Sequence, residues 1–216
     1  MTDEQFDTAL IRAAMAQAEL HGWRRVSVAE AAREAGLPLD RARVRYPSAG
    51  CMLLRLGVLA DQAALIDDGS EGTARERLFD MLMRRFDVLQ QYREGVRAVL
   101  RAAPLDLGLA VLLVAATRSS MAWMAQAAGL ETQGLAGALR VGGLVGIWLQ
   151  AVRAWERDES PDLAGTMAAL DRSFDRAGWA ARMLGETSAT PTSGIQTSGD
   201  DAPFSPPGPV TEPPPV

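Results

Sequence analysis

The chain has 216 residues, 48% of them hydrophobic and 23% charged, with a formal net charge of -5. That length supports a real apolar core, while the acidic balance excludes a protein that coats nucleic acid by bulk electrostatics, which needs a broad positive surface. The single cysteine, Cys51, excludes an intramolecular disulfide, and with no CxxC or Cys/His cluster there is nothing to hold structural zinc.

The acidic opening MTDEQFDTAL has neither the basic start nor the apolar run of a secretory signal, so a reducing cytoplasm is the expected location. Leu10, Ala13, Ala14 and Ala18 recur with helical period and predict a first helix closing at Gly22. His21, the only histidine, falls in its last turn, where the helix dipole accounts for it without a metal or a catalytic role. Ser27 and Glu30 have the spacing of a capping box for a short second helix that buries Val28, Ala31, Ala32 and Ala35 and stops at Gly36. A third short helix is predicted over 39–45, which makes the pair a helix-turn-helix. Between Arg24 and Arg55 seven arginines stand against Glu30, Glu34 and Asp40, a local net charge of +4 on an otherwise acidic chain. Such a compact basic patch suits a local DNA contact.

Tyr46-Pro47-Ser48 closes the unit, and Ser48 is the expected cap of a fourth helix through Met52, Leu53, Leu56 and Leu59 to about 66. DDGSEG reads as a loop, followed by a Thr73/Glu76 capping box and a helix carrying Leu78, Leu82, Phe86 and Leu89. Further helices are predicted at about 93–102, 105–128, 132–157 and 161–184, the last with Ser160 as cap and Pro161 at its first position. The apolar runs near 107–117 and 141–152 are shorter than a bilayer span. No alternating β-branched run suggests a sheet, so the fold class is all-α, with about nine helices. After Glu186 the chain carries eight of its twelve prolines and reads as a disordered tail over 186–216. The organisation is therefore 1–47, a helix-turn-helix domain; 48–185, a helical body; and the tail.

The ordered landmarks Ser27, Ala35-Gly36 and Tyr46-Pro47-Ser48, followed by a long linking helix and a helical body, resemble the TetR family of regulators. Within the third helix the sequence departs from that pattern: Pro38 stands at the usual serine or threonine cap, Ala42 at the central leucine, Arg43 and Val44 at two common tyrosines, Arg45 at a histidine-like position and Ala49 at the lysine opening the fourth helix. Arginine can bond phosphate or guanine in a bidentate manner, so the exchange alters contact without abolishing it. The resemblance implies that 48–185 is a ligand-binding and dimerisation domain, with a homodimer, double-stranded operator DNA as partner and a small apolar effector; with no nucleophile-histidine-acid set and no glycine-rich phosphate loop in the sequence, no cofactor and no enzyme activity are expected. The DNA-contacting residues are then Ser27, Leu39, Asp40, Arg41, Arg43, Arg45, Tyr46 and Ser48, with Arg41 and Arg45, one turn apart, leaning to the DNA and Arg43 at the edge.

In the body, Gly134, Ala138, Gly142 and Gly146 form a small-residue ridge suited to close helix packing. The dimer surface is expected to use Gly142, Gly146, Met167, Leu170 and Phe174. Met81, Met121, Trp123, Met124 and Trp148 are the candidate ligand residues, since thioether and indole groups adapt to varied apolar molecules; core packing is the plainer explanation of such a stripe. WERDESPDLAGTMAALDR also looks like the end of the lipid-binding accessory proteins of ubiquinone biosynthesis, which share the fold. An accessory protein presenting an isoprenoid lipid to an enzyme is thus the alternative reading.

Overall fold

A computed structural model describes residues 1–66 and 72–186, with side chains to residue 178. The expected tail over 187–216 and most of the DDGSEG loop lie outside the described residues. Nine α-helices and two short 3-10 turns, with no strand, make up the secondary structure among the described residues.

Helix α1 (Asp3–His21) starts in a capping box: Thr2 Oγ1 accepts from the Gln5 amide at 3.2 Å and Gln5 Oε1 accepts from the Thr2 amide at 2.9 Å. Asp3 and Glu4 in its first turn suit the positive end of the helix dipole. It ends at Gly22, whose φ of 81° is a conformation that a side chain disfavours. After a 3-10 turn at Trp23–Arg25 come α2 (Val28–Glu34) and α3 (Leu39–Arg45), joined through Gly36 at φ 64°. Phe6, Leu10, Ala14, Ala31, Ala32, Leu37, Ala42, Tyr46 and Met52 form the core of this N-terminal unit. Ala42, where a leucine would be usual, is fully packed there, in one cluster with the large ring of Phe6.

Two caps differ from the sequence expectation. Ser27 Oγ does accept from the Glu30 amide, at 3.5 Å, but the Ser27 amide donates to Gln17 Oε1 of α1 at 3.3 Å, so the reciprocal half of the box is supplied across helices. Ser48 makes no side-chain cap to α4 (Ala49–Ala64); its hydroxyl instead lies 3.4 Å from Cys51 Sγ.

The body consists of α5 (Ala74–Gln90), α6 (Arg93–Ala102), α7 (Leu107–Ala127), α8 (Gly134–Trp155) and α9 (Ala164–Glu186). The Thr73/Glu76 capping box of α5 forms as the spacing predicts. Helix α9 begins three residues later than Pro161 would place it. Leu163 takes a φ of 54°, and the Asp158 carboxylate accepts from the Thr166 amide and hydroxyl at 2.6 and 2.8 Å, while Ser160 Oγ accepts from the Ala164 amide at 3.0 Å. Side-chain acceptors thus satisfy the first amides from a preceding loop. Burial raises the Asp158 pKa, but hydrogen bonds from Ser160 and Thr166 outweigh it and hold the carboxyl at about 2.

Both α7 and α8 are long and apolar enough to cross a membrane by length and composition, although the uninterrupted apolar runs within them are short. Arg118 and Ser119-Ser120 break the run in α7 without changing its average character. Less than half of each stretch is buried within the protomer.

The N-terminal unit is bound to the body along α1, which packs on α6 and α4. Ile11, Met15, Ala18, Trp23, Leu53, Leu56, Ala98, Val99 and Leu109 form the shared core. Gly95 permits this approach: a Cβ there would lie 2.6 Å from the Met15 carbonyl oxygen and 2.8 Å from Met15 Cβ. Because the obstacle is backbone, Gly95→Ala is expected to force the two helices apart and cost about 1–3 kcal/mol. Urea unfolding of the variant checks this, and an unchanged midpoint would refute the close approach.

Candidate nucleic-acid interface and ligand cavity

A cleft of about 510 Å³ opens between the start of α2, helix α3 and the Tyr46-Pro47-Ser48 turn. It brings together Ser27, Leu39, Arg43, Tyr46 and Ser48 from the predicted DNA-contacting set. Arg43 Nη1 donates to the Pro47 carbonyl at 3.1 Å, which holds the guanidinium over the turn. Val44 is 84% exposed, and Leu39 and Asp40 also face outward. Tyr46 is buried in the unit's core and supports the cleft from below.

The other two arginines of α3 are turned toward α1. Arg41 bonds Asp3 and stacks over the Phe6 ring with 4.6 Å to its centroid. Arg45 bonds Asp7 through Nε and through Nη2 at 2.8 Å, and reaches Asp3 at 3.3 Å. Arg55 of α4 completes the cluster with its Nε 2.8 Å from Asp7 Oδ2. Arg43 is exposed, whereas Arg41 and Arg45, expected to lean to the DNA, tie α3 to α1 while staying partly exposed. Asp3 and Asp7 also lower the charge of the basic patch from +4 to +2. The sequence count missed this because the partners lie 38 and more residues away.

Asp7 is completely buried. Burial raises its pKa, but hydrogen bonds from Arg45 and Tyr46 and the charges of Arg45 and Arg55 prevail, so the carboxyl titrates below its ordinary value. Arg45 is correspondingly raised by its bonds to Asp7. Tyr46 is raised by burial and by the adjacent Asp7.

In the body a second cavity of about 420 Å³ is walled by α4 (Leu53, Leu56, Gly57), α5 (Arg85, Leu89), α6 (Val96, Val99, Leu100), α7 (Ala110, Leu113, Val114, Ala116, Thr117) and α8 (Val145, Trp148, Leu149, Val152, Trp155). Its size is ordinary for a small-molecule site. Of the expected ligand residues only Trp148 lines it. Met81, Met121 and Met124 are sealed in the core around Phe86, and Trp123 points outward at 63% exposure. A side chain's chemistry could not reveal which face of α5 and α7 meets the core; the cavity wall is built mainly from plain aliphatic residues that carry no such signal.

The expected dimer residues divide similarly. Leu170 and Phe174 are buried inside the protomer core, where α9 packs on α8. Gly142, Gly146 and Met167 stand open, and a Cβ on either glycine would meet nothing within 4 Å. With Leu135, Leu139 and Leu149 the two glycines form one stripe on α8 at alternating spacings of four and three residues, exposed except at the half-buried Gly146. Cys51 is half-buried, His21 is exposed at the end of α1, and no group of metal-ligating side chains occurs among the described residues.

These features define a class: an all-α protein in which a helix-turn-helix is mounted on a helical body that encloses an apolar cavity. No family model and no curated protein matches the sequence. Among solved structures, the crystal structure of the TetR transcriptional regulator from Nitrosomonas europaea ATCC 19718 is similar, with a TM-score of 0.66 at 21% identity over 81% of this chain and 98% of that chain. The chain has the fold of a TetR transcriptional regulator.

Proposed function

We propose that this is a cytoplasmic, homodimeric, DNA-binding regulator of the TetR type, a repressor that releases its operator when an apolar effector fills the body. The observation that carries this reading is the cleft on the helix-turn-helix, with Arg43 and the exposed end of α3 at its rim. Helix α3 would enter the major groove, and the two heads of a dimer would meet half-sites about one helical turn, or a multiple of it, apart. Helix α4 supplies the coupling. Leu53, Leu56 and Gly57 wall the cavity, while the neighbouring Arg55 bonds Asp7 of α1. A ligand that moves α4 therefore moves the reading head. Binding to the upstream region of the protein's own gene, at two salt concentrations and against an unrelated duplex, tests this; equal affinity for both duplexes would sink it.

The exposed α8 stripe supports the dimer. Leu139→Glu places a charge in the middle of that stripe and is expected to give a monomer in light scattering, with operator affinity lost as well. A variant that stays dimeric would move the interface elsewhere.

One observation favours the alternative of a lipid-binding accessory protein. Leu105, Leu107, Val111 and Val114 form an exposed apolar rim beside the cavity, a suitable place to take up a lipid from a surface. Isoprenoid lipid co-purifying with a protein that ignores every DNA fragment would select this reading.

A further inference from the structure

The cavity has one charged feature among the described residues. Arg85 is the one charged side chain among the described residues that line it, and only 7% of that side chain is exposed. Its guanidinium lies over the Trp148 ring, 5.0 Å from the centroid, and its Nη1 rests against Asp61 Oδ1 as an ion pair. Asp61 stands behind the cavity wall, and its other oxygen accepts from Ser120 Oγ at 2.6 Å. Arg85 Nε makes no hydrogen bond. Burial lowers the guanidinium pKa to about 10, which leaves it charged at neutral pH.

A guanidinium carries five N–H donors, more than Asp61 alone takes up, and at the wall of an apolar cavity an oxygen acceptor gains by meeting it. We infer that the cavity takes an apolar molecule with a neutral oxygen acceptor at one end, a ketone, ester or lactone carbonyl, seated on Arg85. The carbonyl, rather than a carboxylate, follows from charge balance. Asp61 already neutralises Arg85, so a ligand carboxylate would leave one net negative charge in an apolar chamber beside a like charge, whereas a carbonyl satisfies the donor at no charge cost. An alkane fills the same volume but offers the guanidinium no acceptor. The inference deepens the effector site of the proposed regulator and rests on that site, not on DNA binding.

The experiment uses the full chain and no DNA. Tryptophan fluorescence, with Trp148 and Trp155 in the cavity wall, follows titration with methyl laurate, lauric acid and dodecane at neutral pH. Methyl laurate is expected to bind at least about tenfold more tightly than either of the others. Asp61→Asn keeps the shape but removes the neutralising charge, so its preference is expected to swing toward lauric acid. Tighter binding of lauric acid to the unaltered chain, equal binding of dodecane and the ester, or an unchanged preference in Asp61→Asn overturns the inference. Loss of all binding overturns it too, and operator binding measured separately shows whether the regulator reading survives.

Discussion

Replacing Asp7 with alanine is expected to destabilise the protein by about 3 kcal/mol, the lower end of the range for breaking a buried ion cluster. Asp7 is fully buried and joins three elements, accepting from Arg45 of α3 and Arg55 of α4 while itself belonging to α1. The two arginines are about one-third exposed, so they recover some hydration when their partner is lost, and this moderates the cost. Chemical denaturation measures the effect, and Asp7→Asn should fall between the alanine variant and the original because it retains acceptor capacity. The pH dependence follows from the same geometry. The folded-state pKa of Asp7 is depressed, so its contribution is complete above the unfolded-state value of about 3.9 and is lost as pH falls through the folded value. The acid limb of the stability profile should therefore be shallower in Asp7→Ala, with little change in slope above that range. Identical denaturation midpoints for the variant and the original would mean that the cluster does not hold the unit together.

The helices were legible because their signals are local. Gly22 and Gly36 close α1 and α2 where the sequence predicts, and Thr73 and Glu76 cap α5 with the expected reciprocal bonds. Resemblance to the TetR pattern rested on the spacing of Ser27, Gly36 and Tyr46-Pro47-Ser48, and the fold agrees with it. What escaped was decided by tertiary contact. Nothing local distinguishes Arg41 and Arg45 from Arg43, whereas Asp3 and Asp7, far back in the chain, hold the first two against α1. Period alone put Leu170 and Phe174 on an apolar face without saying whether that face meets α8 of the same chain or a second copy. Asp7 itself could have been noticed as an acid one turn before Leu10 and Ile11 on a helix face that must be buried. An acid in that position requires cationic partners.

Arg43→Ala is expected to weaken operator binding by about 5- to 150-fold, the range for losing one good bidentate base contact, while leaving stability within about 0.5 kcal/mol of the original. The small stability cost follows from its surroundings: Arg43 is exposed and gives up a single bond to the Pro47 carbonyl. Arg45→Ala should do the opposite, lowering stability by leaving Asp7 with fewer donors, and any loss of DNA affinity should track the loss of folded reading head. Comparison of the two by operator titration and by denaturation separates a residue that reads DNA from one that positions the reader. Salt dependence refines the role of Arg43. If it bonds a phosphate, the variant's slope against log salt falls by about one and weak binding to unrelated duplexes suffers equally; if it bonds a base edge, the slope holds and selectivity relaxes at one position. Should Arg41→Ala and Arg45→Ala lose operator affinity at full stability while Arg43→Ala binds normally, the face of α3 that meets DNA would be the one now turned to α1, and α1 would have to move for the protein to bind.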